Sequence, residues 1–313
     1  MPTPHSPADL ALAGITVLER GWLSSNNTLI QGEGPATLVD SGYASHAVQT
    51  VALVDAALGG RPLDQLLNTH LHSDHCGGNA ALQQAQPSMV TWIPPGQADA
   101  VRRWDTEALT YEPTGQTCPR FTHERLLVPG TSVQMGSLHW EIHAAKGHDP
   151  HSIVLFQPQL RVLISADALW ENGFGIVFPE LEGASAFDEV ALTLDLIERL
   201  QPTTVIPGHG AVFHDLEGAL ARARSRLKQF TTQPDKHKRH AHKVLIKFKL
   251  LEWQRVRNEA LLQWVMQTSY FVRDMAPELR HDMRASRQWL DALLDELERA
   301  QALRREGDLV VNL

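Results

Sequence analysis

Short apolar runs separated by turn residues dominate the first two thirds of the chain. Their length, together with the glycines and prolines that bound them, predicts strands at 15–19, 27–30, 36–40, 63–68, 89–93, 138–144, 152–156, 161–165 and 203–206. Between them, apolar residues at helical spacing predict helices over 44–58, 80–86, 97–105 and 185–200, with Ser185 as a candidate N-cap of the last. This alternation predicts a mixed sheet with helices packed outside it.

The pattern changes after residue 216. Residues 222–249 are rich in Arg and Lys, with Asp235 as their only acid, and the stretch 231–234 indicates a break. Helical spacing then predicts helices over about 242–256, 259–267 and 284–301, and residues 309–311 predict a terminal strand. We therefore predict two domains, 1–233 and a small, mostly helical 234–313.

Composition adds few constraints. The chain has 313 residues, 43% hydrophobic and 20% charged, as expected of a soluble globular protein long enough for two domains. A net charge of −8 argues against a general binder of polyanions. Two cysteines are too few for a disulfide framework, and no signal peptide or membrane span is predicted. We expect a cytoplasmic protein.

One stretch groups residues that bind metals. Directly after the strand predicted at 63–68 comes His70-x-His72-x-Asp74-His75. Each histidine alone could be an ordinary core or surface residue, but crowding such groups is costly unless a metal compensates. Imidazole and carboxylate are good zinc ligands. In an extended segment His70 and His72 point to the same side, while Asp74 and His75 can reach a second ion.

A two-metal site needs further ligands, and these should also lie at strand ends. Three candidates each follow a predicted strand: His148, Asp167 and His209. Glycines precede His148 and His209, which fits tight turns close to a metal. Each of the three could be structural by itself, but their order along the chain favours a shared site.

This ordered set, from residue 15 to residue 214, resembles the metallo-β-lactamase superfamily. The resemblance implies an α/β fold, a four-layer αβ/βα sandwich of two mixed sheets. It implies that His70, His72 and His148 hold a first zinc. Asp74, His75 and His209 would then hold a second, and Asp167 would bridge both. Iron or manganese would also suit these ligands. Asp40, in Asp40-Ser41-Gly42, resembles the residue that braces the metal loop in this family.

The resemblance also implies hydrolysis. Two ions about 3.5–4 Å apart bring the pKa of a shared water toward about 7, and the resulting hydroxide attacks a carbonyl or phosphoryl centre. Asp74 and Asp167 would be the catalytic carboxylates. The glycine-punctuated, aromatic segment 169–179 predicts an apolar substrate pocket that contains Trp170, Phe174 and Phe178, with core packing as the alternative. His151 is a candidate to contact substrate or a metal ligand, with a solvent-facing turn residue as the alternative.

An apolar pocket favours a small acyl ester or thioester, and a thioester as in hydroxyacylglutathione hydrolase comes first. The alternatives are a zinc-dependent endoribonuclease or phosphodiesterase, and a lactonase or β-lactamase-like amide hydrolase. A metal-binding scaffold without activity is disfavoured because the ligand set is complete.

The second domain is similar to the winged-helix-like cap of a thioesterase and endoribonuclease-like branch of the family. Its basic run suits phosphates, either of RNA or of a CoA or carrier-protein ligand. The last helix is acidic, however, and the spacing of Val244, Leu245, Phe248 and Leu251 predicts a packed face. We therefore expect a packing role rather than nucleic-acid binding, expect no membrane partner, and leave a homodimer open.

Overall fold

The computed structural model describes residues 8–275 and 282–313. A first sheet contains six strands that neighbour one another in chain order: β1 (Ile15–Leu18), β2 (Asn27–Ile30), β3 (Thr37–Val39), β4 (Gln65–Leu67), β5 (Val90–Ile93) and β6 (Arg125–Leu126). The pairs β1–β2 and β2–β3 are antiparallel, and the sheet is parallel from β3 to β6. The predicted mixed sheet is thus confirmed.

A second sheet has five strands: β7 (Ser132–Met135), β8 (Leu138–Ala144), β9 (Ile153–Gln157), β10 (Val162–Ala166) and β11 (Thr204–Pro207). Their spatial order is β11–β10–β9–β8–β7, and only β10 and β11 pair in parallel among them. The register of β10 shifts between Ile164 and Ala166, so this strand is irregular where it ends.

Helices pack on the outer faces of both sheets and at the edge of the sandwich. They are α1 (Ala47–Leu58), α2 (Ser73–Cys76), α3 (Asn79–Ala85), α4 (Ala98–Arg103), α5 (Tyr111–Thr114), α6 (Phe178–Leu181), α7 (Phe187–Leu200) and α8 (Leu216–Thr232). Side chains of α1 and α3 pack on the first sheet, and those of α7 and α8 pack on the second. Between the sheets, Val39 and Leu67 meet Trp140, Leu155 and Ile206. The order helix, sheet, sheet, helix makes four layers, which confirms the predicted αβ/βα sandwich.

The C-terminal region has its own core and a three-stranded sheet. It contains α9 (Pro234–Trp253), β12 (Arg255–Arg257), α10 (Asn258–Gln267), α11 (Ser269–Asp274), α12 (Met283–Arg299), β13 (Leu303–Glu306) and β14 (Leu309–Asn312). Its core also takes in Ile176 and Leu181 from the segment after β10, so this region packs against the sandwich. A helix break at Gln233 coincides with the predicted domain boundary, which itself stays a prediction.

Ion pairs explain how a basic run and an acidic helix coexist. Arg239 and Lys243 of α9 both contact Glu296 of α12, at 2.6 and 2.9 Å. In the same last turns of α12, Arg305 contacts Asp295 and Glu298. Much of the basic charge is therefore matched within the molecule. No helix in the described ranges combines the length and apolar character that crossing a membrane requires.

The structure departs from the predicted elements in a few places. Ser185 does not cap α7: the backbone N–H groups of Ala186 and Phe187 donate to Glu180 Oε1 instead, at 2.5 and 2.9 Å. The Glu180 side chain, from the preceding helix α6, thus caps α7 in place of Ser185. The helix predicted from about residue 242 begins at Pro234, where proline suits the first turn. The segment 109–121 lacks apolar periodicity, which predicts an irregular surface segment, but it contains the short helix α5.

Candidate metal centre

Seven candidate ligands meet at one edge of the sandwich, where strands end. His70 and His72 follow β4, and α2 carries Asp74 and His75. The other three, which follow β8, β10 and β11 respectively, are His148, Asp167 and His209. Glycine is required at two of these turns. Gly147 has φ +126°, and a Cβ on Gly208 would lie 2.2 Å from Asp167 Oδ1.

The first group of ligand atoms consists of three imidazoles. His148 Nε2 lies 2.8 Å from His72 Nδ1 and 3.3 Å from His70 Nε2. Burial, reinforced by the neighbouring histidines, lowers the pKa of His70 well below its usual value and that of His72 to about 4. These two rings are therefore neutral at pH 7, the form in which imidazole binds a metal.

The second group is rich in carboxylates. His209 Nε2 lies 3.1 Å from Asp74 Oδ2, and His75 Nε2 lies 3.4 Å from Asp167 Oδ1. Burial alone would lower the pKa of His75, but Asp167 and the other nearby carboxylates raise it well above its usual value. Burial likewise opposes ionisation of Asp167, yet His75 and His209 hold its pKa well below the usual range. The group thus favours ionised carboxylates.

Asp167 faces both groups. Its Oδ1 lies 3.4 Å from His75 Nε2, and its Oδ2 lies 3.5 Å from His148 Nε2. The Trp170 indole donates a hydrogen bond to Oδ1 at 3.2 Å, which fixes the carboxylate from the cavity side. A single carboxylate is therefore placed between the two sets of ligand atoms.

Asp40 holds the loop from behind. Its carboxylate accepts hydrogen bonds from the Thr69 N–H at 2.9 Å and from Thr69 Oγ1 at 2.8 Å. It also lies 2.8 Å from His75 Nδ1, and Thr69 Oγ1 lies 3.1 Å from His70 Nδ1. One buried carboxylate is thus connected to a histidine of each group, and such contacts fix ring orientation and tautomer.

The donor set fits divalent metal ions. Within each group, the ligand atoms all lie within 4.8 Å of one another. His75 Nε2 is buried and has no hydrogen-bond partner among residues 8–275 and 282–313, although it points toward the carboxylates of the second group. Buried imidazoles and carboxylates at these spacings match the ligand preferences of zinc and of similar ions. A binuclear-type His/Asp metal site is therefore present.

A cavity of about 80 Å³ opens onto this site. Five of the candidate ligands line it, as do Trp22, Trp170, Ile176 and Phe178, three side chains of α9, and Thr110, Thr114 and Gln116. Trp22 stacks on the His209 ring, with centroids 5.4 Å apart and planes at 10°. The wall is mainly apolar and aromatic, with polar groups on the side of α5.

Two of the four predicted pocket residues, Trp170 and Phe178, line this cavity. Phe174 does not: it is 3% exposed and packs against Phe230 in the core beneath the second sheet. Its side chain belongs to the core cluster formed with α7 and α8, on the side of the segment away from the cavity. His151 is also absent from the wall, because its ring lies over Gly96 on the outer side of its turn.

Sequence reasoning missed several wall residues. Trp22, Gln116 and the α9 side chains come from segments far apart in the chain, and no local motif marks them. Asp149, whose Oδ2 lies 3.8 Å from His72 Nε2, could have been noticed because it directly follows a candidate ligand. Predicted helical spacing did find the face of α9, but not that it meets the metal site.

Two face-to-face mixed sheets, outer helices and a binuclear His/Asp site at the strand ends define a class of metalloproteins. Residues 20–209 match the family model described as "Metallo-beta-lactamase superfamily". The chain belongs to the metallo-beta-lactamase superfamily.

Similar proteins include two hydroxyacylglutathione hydrolases. The one from Legionella pneumophila (strain Lens) is 30% identical over 144 residues, which cover 46% of each chain. The one from Rhodobacter capsulatus is 30% identical over 176 residues, which cover 54% of this chain and 59% of that protein. The chain thus spans about half the length of the curated relatives it matches.

Among solved structures, a metallo-beta-lactamase family protein from Thermus thermophilus is similar over 96% of this chain and 99% of its own. Its TM-score is 0.54 and its sequence identity 18%. A beta-lactamase domain protein from Burkholderia ambifaria matches over 96% of this chain and 91% of its own, with a TM-score of 0.51 and 20% identity. These likenesses support the fold, including that of the C-terminal region.

Proposed function

We propose that the protein is a metal-dependent hydrolase that cleaves an ester or a thioester, with an acyl thioester as the first choice. The observation that carries the proposal is the apolar cavity that opens directly onto both groups of ligand atoms. The similarity to hydroxyacylglutathione hydrolases supports thioester chemistry. The family and the ligand set support a hydrolase.

The two groups of ligand atoms support the predicted assignment of ligands. His70, His72 and His148 would hold one ion, and Asp74, His75 and His209 the other. Asp167 belongs to the second group but also faces His148, so it would bridge the two ions. Zinc is the proposed metal, and iron or manganese would be accommodated by the same donors. When bound, two such ions activate water and polarise the bond to be cleaved.

The protein side chains then orient and protect the reaction. Asp74 lines the cavity with its side chain 14% exposed, so its carboxylate can accept a proton from the attacking water. Asp167 is held in place by the Trp170 indole. Trp170 and Phe178 line the cavity beside the ligands, so a bound substrate would displace water there, which strengthens electrostatic interactions.

The phosphodiesterase alternative is less well supported. Among the described residues that line the cavity, none is Lys or Arg, and a nucleic-acid backbone requires cations along its track. Cations of α9 are instead paired with the acidic residue Glu296. The lactonase and β-lactamase alternatives would use the same apolar cavity. Turnover of a lactone or of nitrocefin would distinguish them from thioester hydrolysis. The cytoplasmic location stays a prediction, and a homodimer stays an open alternative.

The test combines metal analysis of protein purified without chelator with a substrate panel of acyl thioester, lactone, nitrocefin and bis-p-nitrophenyl phosphate. We expect about two metal ions per chain, with turnover of the thioester and loss of that turnover after chelation. Turnover of the phosphodiester alone would replace the proposal with the endoribonuclease alternative. Trp170→Ala should change kcat/KM differently for short and long acyl groups, and a uniform ratio would remove Trp170 from the substrate pocket.

A further inference from the structure

We infer that the C-terminal region binds the acyl group of the substrate through a surface formed by Val244, Leu245 and Phe248 of α9, which we call the acyl seat. The seat selects uncharged, apolar acyl groups. The inference rests on the proposed function and extends it to a substrate class. Its basis is the face of α9 that carries Val244, Leu245 and Phe248, all three of which line the cavity over the metal site.

The geometry of α9 makes this face part of the site. Val244 and Phe248 are four residues apart and therefore lie on the same side of the helix. Leu245 is 2% exposed and belongs to the C-terminal core, so the face is anchored from behind. The Phe248 ring meets the buried Tyr43 ring edge-on, with centroids 5.2 Å apart. Tyr43 is itself fixed, since its hydroxyl accepts a hydrogen bond from the Thr117 N–H at 3.1 Å.

The lysines that flank this face donate hydrogen bonds to groups outside the cavity. Lys243 Nζ donates to Glu296 at 2.9 Å, and Lys249 Nζ donates to Glu252 at 2.6 Å. Lys247 Nζ donates to the Ala302 carbonyl at 2.7 Å and to two groups at the end of the chain. Among the described residues that line the cavity, no Lys or Arg is therefore available to pair with a terminal carboxylate on an acyl group. Burying such a carboxylate without a partner is costly.

The first experiment measures kcat/KM of the metal-loaded protein for N-acetylcysteamine thioesters of acetyl, butyryl, hexanoyl and succinyl groups. Butyryl and succinyl have chains of equal length and differ in a terminal carboxylate. We expect butyryl to exceed succinyl at least tenfold. Phe248→Ala should reduce hexanoyl turnover about tenfold and acetyl turnover less than twofold, since each buried methylene contributes separately to binding.

Trp253→Ala is the matched control, because it removes an aromatic side chain from the same helix that does not line the cavity. It should leave the order of acyl preference unchanged. If Phe248→Ala does not fold, as judged by circular dichroism, Val244→Trp takes its place. That variant fills the seat and should block hexanoyl while sparing acetyl. Equal effects of seat and control variants across the series would overturn the inference, as would succinyl turnover equal to butyryl.

A binding measurement separates the seat from the reaction. The non-hydrolysable thioethers S-hexyl- and S-ethyl-N-acetylcysteamine are titrated against the protein, and binding is measured by isothermal titration calorimetry. We expect Phe248→Ala to weaken hexyl binding about tenfold and ethyl binding less than twofold. Binding that depends on Phe248 without hydrolysis of any thioester would refute the proposed function and keep the seat. If the protein hydrolyses thioesters but Phe248→Ala does not change binding of the thioethers, the proposed function is kept and the acyl seat is refuted.

Discussion

Replacing Asp40 with Asn should weaken metal binding without changing the shape of the site. The Asp40 side chain is 4% exposed, and its two oxygens contact the Thr69 N–H, Thr69 Oγ1 and His75 Nδ1 at 2.8–2.9 Å. The asparagine side chain has one oxygen and one NH2 group, and the NH2 group cannot accept a hydrogen bond. In either orientation, the asparagine NH2 group faces a hydrogen-bond donor of Thr69 or His75, so at least one hydrogen bond is lost.

Two independent magnitudes agree on the size of the effect. A hydrogen bond to a charged group contributes about 1.5–3 kcal/mol when its loss leaves a buried partner unsatisfied. Removing an outer hydrogen-bond partner of a ligating histidine typically costs about 10–100-fold in metal affinity. That range corresponds to about 1.4–2.7 kcal/mol. We therefore expect Asp40→Asn to lose about tenfold or more in affinity, most strongly at the group that contains His75.

The assay is competition with a chromophoric chelator, which resolves the two binding steps. Thr69→Val is the matched control. It removes the Oγ1 contacts to Asp40 and His70 but keeps the Thr69 N–H and the His75 contact, so its effect should be smaller and should fall on the first group. If Asp40→Asn binds two ions within twofold of the wild-type affinity, the bracing role of Asp40 is refuted.

Three further predictions follow from other contacts. Arg239 and Lys243 lower the pKa of Glu296 to about 2, so this carboxylate stabilises the fold above its ordinary pKa and loses that effect as the pH falls toward 2. Glu296→Gln should therefore lower urea stability at pH 7 but not at pH 2, and an equal loss at both values would contradict the ion pairs. Single-stranded RNA should show no salt-dependent filter binding, and binding abolished by Lys236/Lys238/Arg239→Ala would contradict internal pairing. Chelation should lower Tm, because it leaves the carboxylates and imidazoles of the two ligand groups without a compensating cation, and added zinc should restore it.

Much of the fold could be predicted because its signals are local. Strands such as β2 and β8 agree with the predicted bounds to the residue, since apolar alternation and bounding turn residues are properties of adjacent positions. The seven candidate ligands could be found because each follows a strand and because their order along the chain is specific. The cap of α7 could not, since Glu180 lies outside the helix and reaches it through a turn.

Local patterns along the chain specify the residues that gather at the strand ends and the layers that present them. The side chains that close the cavity follow from packing, because Trp22, Gln116 and Phe248 belong to segments that meet in space and share no local pattern. Packing also decides that Phe174 is core and that two lysines of α9, Lys243 and Lys247, are matched by acidic and carbonyl groups distant in the chain. Specificity depends on surfaces brought together by burial of apolar area. A local pattern can show that a face is buried, but not which other surface it meets.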